Sequence, residues 1–432
     1  MSEQYQPCDC PSCREANTRL NLSNDEQKPN VFQALLKTAE KAFKRIFKDQ
    51  DYKVEDLFQK SEYRDLVNGT AELFYSQTPH HTPEEMRAYL EQDAFIFSGL
   101  KTHTQLAEAR SYLKDEKGNL RPYYDFEQKV LKLNKQYNQH YLEAEYEFAA
   151  HSAMSAANWA NLQEDTGRYW LEYRTAGDER VRASHQQLNG ICLPKNDAFW
   201  TEYSPPNGWR CRCRAVEVLA REKTLSDSQK AQELGQVATS QIGKNGKNKL
   251  AMFRFNPGQQ KKMFPPNNSY NPKFCNSGKT TLNLDNNSIL LSLEDERCKA
   301  KQIIEEKAEQ STQAKLRKKY LEEMKPLLSK TVKKEVDDKA IRVKFTTKGN
   351  KHLYSDTFGR STYPKEELKY IDRRLEKAEF VREAEISKQR KDNIRKFYYF
   401  KDKELNCYYN VAEEIYKGSV KAFLYAITKN IK

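Results

Sequence analysis

The chain has no apolar run near the ~18 residues that a membrane-spanning helix requires, and its opening MSEQYQPCDC has neither the basic nor the apolar stretch of a secretory signal. No membrane anchor is therefore expected, and the protein is expected to stay in the compartment where it is made. A disulfide framework is missing too. Nine cysteines are spread over 432 residues, with Cys8, Cys10 and Cys13 crowded at the start and Cys211 and Cys213 one residue apart. That distribution favours reduced thiols or metal ligands over the paired cysteines of a small secreted domain. Residues 1–298 lack net charge, with 40 Lys+Arg against 40 Asp+Glu, whereas residues 299–432 hold 34 against 21 and so carry the whole +13. A basic segment attached to a neutral one is expected to face a polyanion, nucleic acid first. A lysine-rich surface that serves solubility is the alternative.

The length sets a soft expectation of about three domains, and the 38% hydrophobic and 31% charged fractions suit a surface-rich protein. Val31, Phe32, Leu35, Leu36, Ala39, Phe43, Ile46 and Phe47 recur at helical spacing, with Lys37, Lys41, Lys44 and Lys48 between them, which predicts an amphipathic helix. Short helices are expected near 54–76, 83–93 and 102–115, broken at Asn68-Gly69, Thr78-Pro79 and Lys117-Gly118. After Pro122, the series Phe126, Val130, Leu133, Tyr137, Tyr141, Ala144 and Phe148 predicts one helix of about 40 residues, ~60 Å long. Residues 222–300 read as an irregular arm or linker, and 294–334 as a charged helical connector. Beyond it, IRVKFTT is a strand candidate and EELKYIDRRLEKAEF a helix with Leu368, Ile371, Leu375 and Ala378 inward. REAEISKQ, RKFYYFK, LNCYYNVAEEI and KAFLYAITK are strands. The last part is thus expected to be a small α+β domain with an antiparallel sheet in chain order.

Residues 173–218, YRTAGDERVRASHQQLNGICLPKNDAFWTEYSPPNGWRCRCRAVEV, carry an unusual order of features. Arg174, Asp178, Arg180, His185, Gly190, Trp200, Pro205, Pro206, Gly208, Cys211, Arg212 and Cys213 resemble the signature of the phage Mu F-like minor head (head morphogenesis) proteins. The resemblance extends to FIFSGLKTHTQLAEA, KDEKGNLRPYYDF and YLEAEYEFAAHSAMSAANW and covers roughly residues 30–265. It implies a mostly α-helical head-morphogenesis domain with a loop-rich Cys-Arg-Cys region. The expected organisation is a Cys-rich terminus (1–29), the head domain (30–265), a linker and connector (266–334) and a basic α+β domain (335–432). The resemblance further implies phage portal and capsid proteins and phage DNA as partners, and a place inside the virion head, with the host cytoplasm as the site of assembly.

His185, Cys211 and Cys213 form a donor set suited to structural zinc, with Asp178 available as a fourth ligand. Cys-x-Cys is tighter than the usual zinc spacing, so two small buried cysteines beside a hydrogen-bonded histidine are the other reading. Arg174, Arg180, Arg210, Arg212 and Arg214 are expected mainly to pair with Asp178, Asp197 and Glu202 rather than to touch DNA. Cys8, Cys10 and Cys13 allow a small metal hook or a set of reactive thiols.

KFTTKGNKHLYSDTF followed by the KEELKYIDRRLEKAEFV helix looks like the phage-borne domains of the barnase, EndoU, colicin and RelE nuclease superfamily. That resemblance implies a metal-independent endoribonuclease acting on host RNA. His352 would transfer the proton, Lys348, Lys351 and Arg360 would hold the phosphorane charge, and Thr428 would orient phosphate. Arg395, Lys396, Tyr398 and Tyr409 would bind nucleic acid, although tyrosines alternating in a small sheet also fill cores. A non-catalytic nucleic-acid or capsid binding module is the rival. An ADP-ribosyltransferase effector is disfavoured, since Arg360-Ser361-Thr362 stands without the rest of that motif series.

Overall fold

The structure is a computed structural model that describes residues 28–244, 246–273, 275, 288–337, 339–359, 363–385, 393–416 and 418–431. Two compact units divide the chain between Thr312 and Gln313.

The first unit opens with α1 (Lys28–Asp49), which buries Leu35, Ala39, Phe43 and Ile46 and exposes Lys37, Lys41, Lys44 and Lys48. α2 (Asp56–Gln59), α3 (Ser61–Tyr75) and α4 (Glu84–Ser111) follow. Two expected breaks are absent. Asn68 and Gly69 lie within α3, and the pair of helices expected at 83–93 and 102–115 is the single α4. Packing explains the glycine inside α4: a Cβ on Gly99 would stand 2.9 Å from the Ile304 side chain. Gly99 is a point of close approach rather than a turn.

The long helix is continuous, as its period predicts, but it has three parts: α5 (Tyr123–Lys135), a π-helical turn (Gln136–Tyr141) and α6 (Leu142–Ala160). A π turn takes up an extra residue and so rotates the following face by one position. The buried series therefore runs Tyr137, Leu142, Glu145, Phe148, and Tyr141, expected in the seam, is 42% exposed.

The region expected to be loops contains a three-stranded antiparallel sheet, ordered β2-β1-β3, from β1 (Tyr169–Arg174), β2 (Cys192–Pro194) and β3 (Arg214–Leu219). Short helices α7 (Ala183–Gln186) and α8 (Phe199–Tyr203) lie between its strands. Leu171, Tyr173, Leu193, Phe199 and Trp200 give it a small core of its own. α9 (Ser228–Ala238) and α10 (Pro257–Gln260) come next. Phe253, Phe255, Met263, Phe264 and Tyr270, from the stretch expected to be an irregular arm, are buried in the helical core, with the Phe264 ring 3.7 Å from Phe97. The Asp93 carboxylate fixes this return by accepting the backbone N–H groups of Met263 and Phe264 at 2.9 and 2.8 Å.

α11 (Ser288–Glu323) contributes Ala300 and Ile304 to the same core, so part of the expected connector is interior. Cys275 and Cys298 form a disulfide, where reduced thiols were expected. The two lie 5.4 Å apart at Cα, within the range a disulfide spans.

The second unit is a six-stranded sheet ordered β4-β5-β9-β8-β7-β6: β4 (Thr331–Val336), β5 (Lys339–Lys344), β6 (Glu379–Glu385), β7 (Ile394–Asp402), β8 (Cys407–Tyr416) and β9 (Ser419–Thr428). It also holds α12 (Thr347–Gly359) and α13 (Ile371–Lys377). The expectation of an antiparallel sheet in chain order is corrected here. β9 pairs in parallel with β5 and antiparallel with β8, so the last strand lies between the first hairpin and the rest. Placing α12 as a crossover between β5 and the later strands makes that parallel pairing possible. Leu368, Ile371, Leu375 and Ala378 are buried as the helical period predicts.

Candidate functional site

The described residues hold one group of three or more His, Cys, Asp or Glu side chains placed to share a metal, namely His185, Cys211 and Cys213. His185 sits on α7, and the two cysteines lie in the coil just before β3. All three are buried, at 2%, 3% and 6% exposure. The loops reach this point through specific contacts. Gly190 takes a left-handed φ of 83°, which glycine adopts without strain, and lets its N–H and that of Tyr173 bridge β1 to the residues after α7. The Tyr173 hydroxyl donates to Asn207 at 2.8 Å, Arg182 donates to the Trp209 carbonyl at 2.6 Å, and Asn256 donates to the carbonyl of the fully buried Trp200 at 2.8 Å.

His185 Nδ1 stands 3.6 Å from Cys211 Sγ and 3.7 Å from Cys213 Sγ, and Nε2 has no hydrogen-bond partner among the described residues. The hydrogen bond between the sulfurs holds the Cys211 thiol well below its ordinary range, with His185 adding to the effect. The same bond, with burial, pushes Cys213 up. The pair thus gives up its first proton readily and its second reluctantly. Burial also pushes the neutral His151 of α6 down to about 4.

Asp178, expected as a fourth ligand, is engaged elsewhere. It takes two hydrogen bonds from Arg212, one of 2.6 Å, and an ion pair from Arg180 at 3.6 Å, and the Arg212 bond lowers its carboxyl to about 2. Arg174 and Arg210 also form ion pairs, though not with the partners expected. Arg174 donates to Glu172 at 2.6 Å, and Arg210 faces Glu143 and Glu147 at 3.5 and 3.9 Å. Asp197 instead accepts from the Phe199 N–H and the Ser228 hydroxyl.

In the second unit, α12 places Lys348 and His352 one turn apart over β8 and β9. Lys348 pairs with Glu414 at 2.9 Å, and the His352 ring lies 4.3 Å from that of Tyr425. Glu414 and Tyr425 were not singled out from sequence, because the period-two pattern that marks their strands does not say which residues meet a helix. Lys351 is exposed on α12, and Thr428 donates to Asn410 at 3.4 Å. Arg360, like Cys8, Cys10 and Cys13, lies outside the described residues. Tyr409 is fully buried and donates to Asp402 at 2.8 Å, and the buried Tyr398 donates to Glu413 at 2.6 Å. Both rings serve the sheet core. Lys396 pairs with Glu383 at 2.7 Å, and Arg395 is exposed on β7. A separate cleft of about 400 Å³ is lined by Arg373, Arg374, Lys377, Lys401 and Lys403, with Glu367, Asp402 and Glu404 among them.

Residues 118–216 match a family model described as Phage Mu protein F like protein. That span runs from the Gly118 turn to β3 and contains all twelve signature positions and the His185, Cys211, Cys213 group. The putative capsid assembly protein F of Escherichia phage Mu is 35% identical over 83 residues, which make up 18% of this chain and 19% of that relative. The chain thus spans about a fifth of the length of the curated relative that it matches. No solved structure matches.

Proposed function

We propose that the chain is a phage head protein that acts in capsid assembly by binding other head proteins, the portal and the inner capsid surface among them, with no reaction in its first unit. It would reside inside the virion head after assembly in the host cytoplasm. One observation supports this reading: the segment similar to the Mu F-like family takes in the long helix α5–α6 of the main helical core and the β1-β2-β3 sheet, whose small core and interlocked loops hold Trp200. In cells making the head proteins, the chain should co-sediment with procapsids in substoichiometric amounts, and Trp200→Ala, which empties that core, should abolish this. Recovery of the intact chain only as free protein would refute the reading.

A second reading concerns the second unit, for which we propose an RNase effector role. It is favoured by the placement of Lys348, His352 and Glu414 at one part of the sheet, which gathers one cationic group, a carboxylate and an imidazole. Such a set has a proton-transfer group and charge for a phosphorane. The full chain should cleave RNA in EDTA, and His352→Ala should lower the rate by about 10² to 10⁴. RNA bound but left intact would make the unit a nucleic-acid or capsid binding module.

A further inference from the structure

We propose that His185, Cys211 and Cys213 bind one zinc ion that staples the loop after β1 to the loop before β3. Zinc–sulfur bonds of about 2.3 Å and zinc–nitrogen bonds of about 2.0–2.1 Å in a tetrahedron put the donors roughly 3.5–3.8 Å apart. The two observed nitrogen–sulfur separations, 3.6 and 3.7 Å, fall in that window. A structure held by thiol hydrogen bonds alone fits less well. Thiol hydrogen bonds can join the three only as a chain, one sulfur to the other and one sulfur to the ring nitrogen, whereas both sulfurs stand at nearly equal distances from that nitrogen, and a metal accounts for the convergence of all three donors.

Electrostatics points the same way. Two thiolates and a neutral imidazole around Zn²⁺ sum to zero charge, so the group can sit at 2–6% exposure without leaving a net charge in the interior. Among the described residues no other His, Cys, Asp or Glu joins the three, and Asp178 is taken by Arg212. The described residues thus supply three ligands, and a water would complete the tetrahedron. Its place suits a staple. The local core is small and built largely on loops, and a metal that links positions 26 and 28 residues apart in sequence stabilises such a fold directly.

The full chain, purified without chelator, should contain close to one zinc per chain by elemental analysis. Replacing zinc with Co²⁺ should give the sulfur-to-metal charge-transfer band of thiolate ligation. Cys211→Ser and Cys213→Ser should each lose the metal. Cys192→Ser, which removes a buried free cysteine outside the group, should keep it, as should the triple variant Cys8→Ser, Cys10→Ser, Cys13→Ser. The Co²⁺ spectrum of the unaltered chain stands even where a serine variant fails to fold. Protein purified without metal that takes up no Co²⁺ would overturn the proposal, as would metal that persists in Cys211→Ser and is lost from the triple variant.

Discussion

A buried pair, Lys101 and Glu145, ties together three parts of the first unit. Lys101 is fully buried on α4, pairs with Glu145 of α6 and donates to the Tyr137 carbonyl at 2.7 Å, while Tyr270 donates to the same carboxylate at 2.7 Å. Burial pulls the Lys101 ammonium down from its ordinary range, and Glu145 opposes that. Removing one partner strands a charge in the interior, so Lys101→Met is expected to cost about 3–5 kcal/mol in denaturant unfolding, and Lys101→Met with Glu145→Leu much less. A single variant as stable as the parent would show that the pair is dispensable. Neither residue was legible as interior from sequence, since a charge in a helical stripe reads as surface until its partner is known. His185, Cys211 and Cys213 were legible, because their residue types carry a chemistry that ordinary core positions do not need.

His103 on α4 gives a pH dependence. It is buried, its Nδ1 lies 3.0 Å from the Tyr52 hydroxyl, and burial pushes it down to about 4. The unfolded chain takes up a proton near pH 6.5 that the folded chain refuses until about pH 4. The stability held by neutral His103 is therefore full above pH 6.5 and is lost as pH falls through that interval, by up to about 3 kcal/mol. His103→Gln should flatten the change in Tm between pH 7 and pH 4.5. An unchanged slope would assign the acid sensitivity to other groups.

At the scale of elements, legibility followed periodicity. α1, the long helix and β7 to β9 show in the sequence because their apolar spacing is sustained. The π turn does not, since it alters hydrogen bonding without altering composition, and it moved Tyr141 out of the seam. β4 was absorbed into the charged connector because its inward positions are Val332, Lys334 and Val336. Lys334 points in to donate to the Glu376 and Ala378 carbonyls at the end of α13, where a cation offsets the helix dipole. The parallel β5–β9 contact depends on α12, whose Gly349 lies so near the sheet that a Cβ there would stand 2.2 Å from the Leu424 carbonyl oxygen. Backbone atoms cannot move aside as a side chain can, so Gly349→Ala should push α12 off β9 and destabilise the unit by about 1–3 kcal/mol. Faster amide exchange along β9 would report it, and an unchanged exchange pattern would count against the packing described.

At the scale of the whole molecule, the charge asymmetry read from the sequence sharpens against the two units. Residues 313–432 hold 31 Lys+Arg and 18 Asp+Glu, so the whole +13 falls in the second unit and the first is neutral. Ion pairs such as Lys348–Glu414, Lys330–Asp372 and Lys403–Glu379 take up some of these cations, yet they remove equal numbers of each sign and leave the excess intact. A polyanion that meets this surface releases counterions in proportion to the phosphates neutralised, and log affinity falls with log salt at about 0.9 per contact on duplex DNA. The full chain should therefore bind nucleic acid with an affinity that drops steeply between 50 and 200 mM salt, by about 10³ if six phosphates are engaged. Truncation after residue 312 should remove that binding while leaving the first unit folded. Affinity that ignores salt, or that survives the truncation, would mean that the basic unit serves solubility and that contacts with nucleic acid, if any, are made by the neutral one.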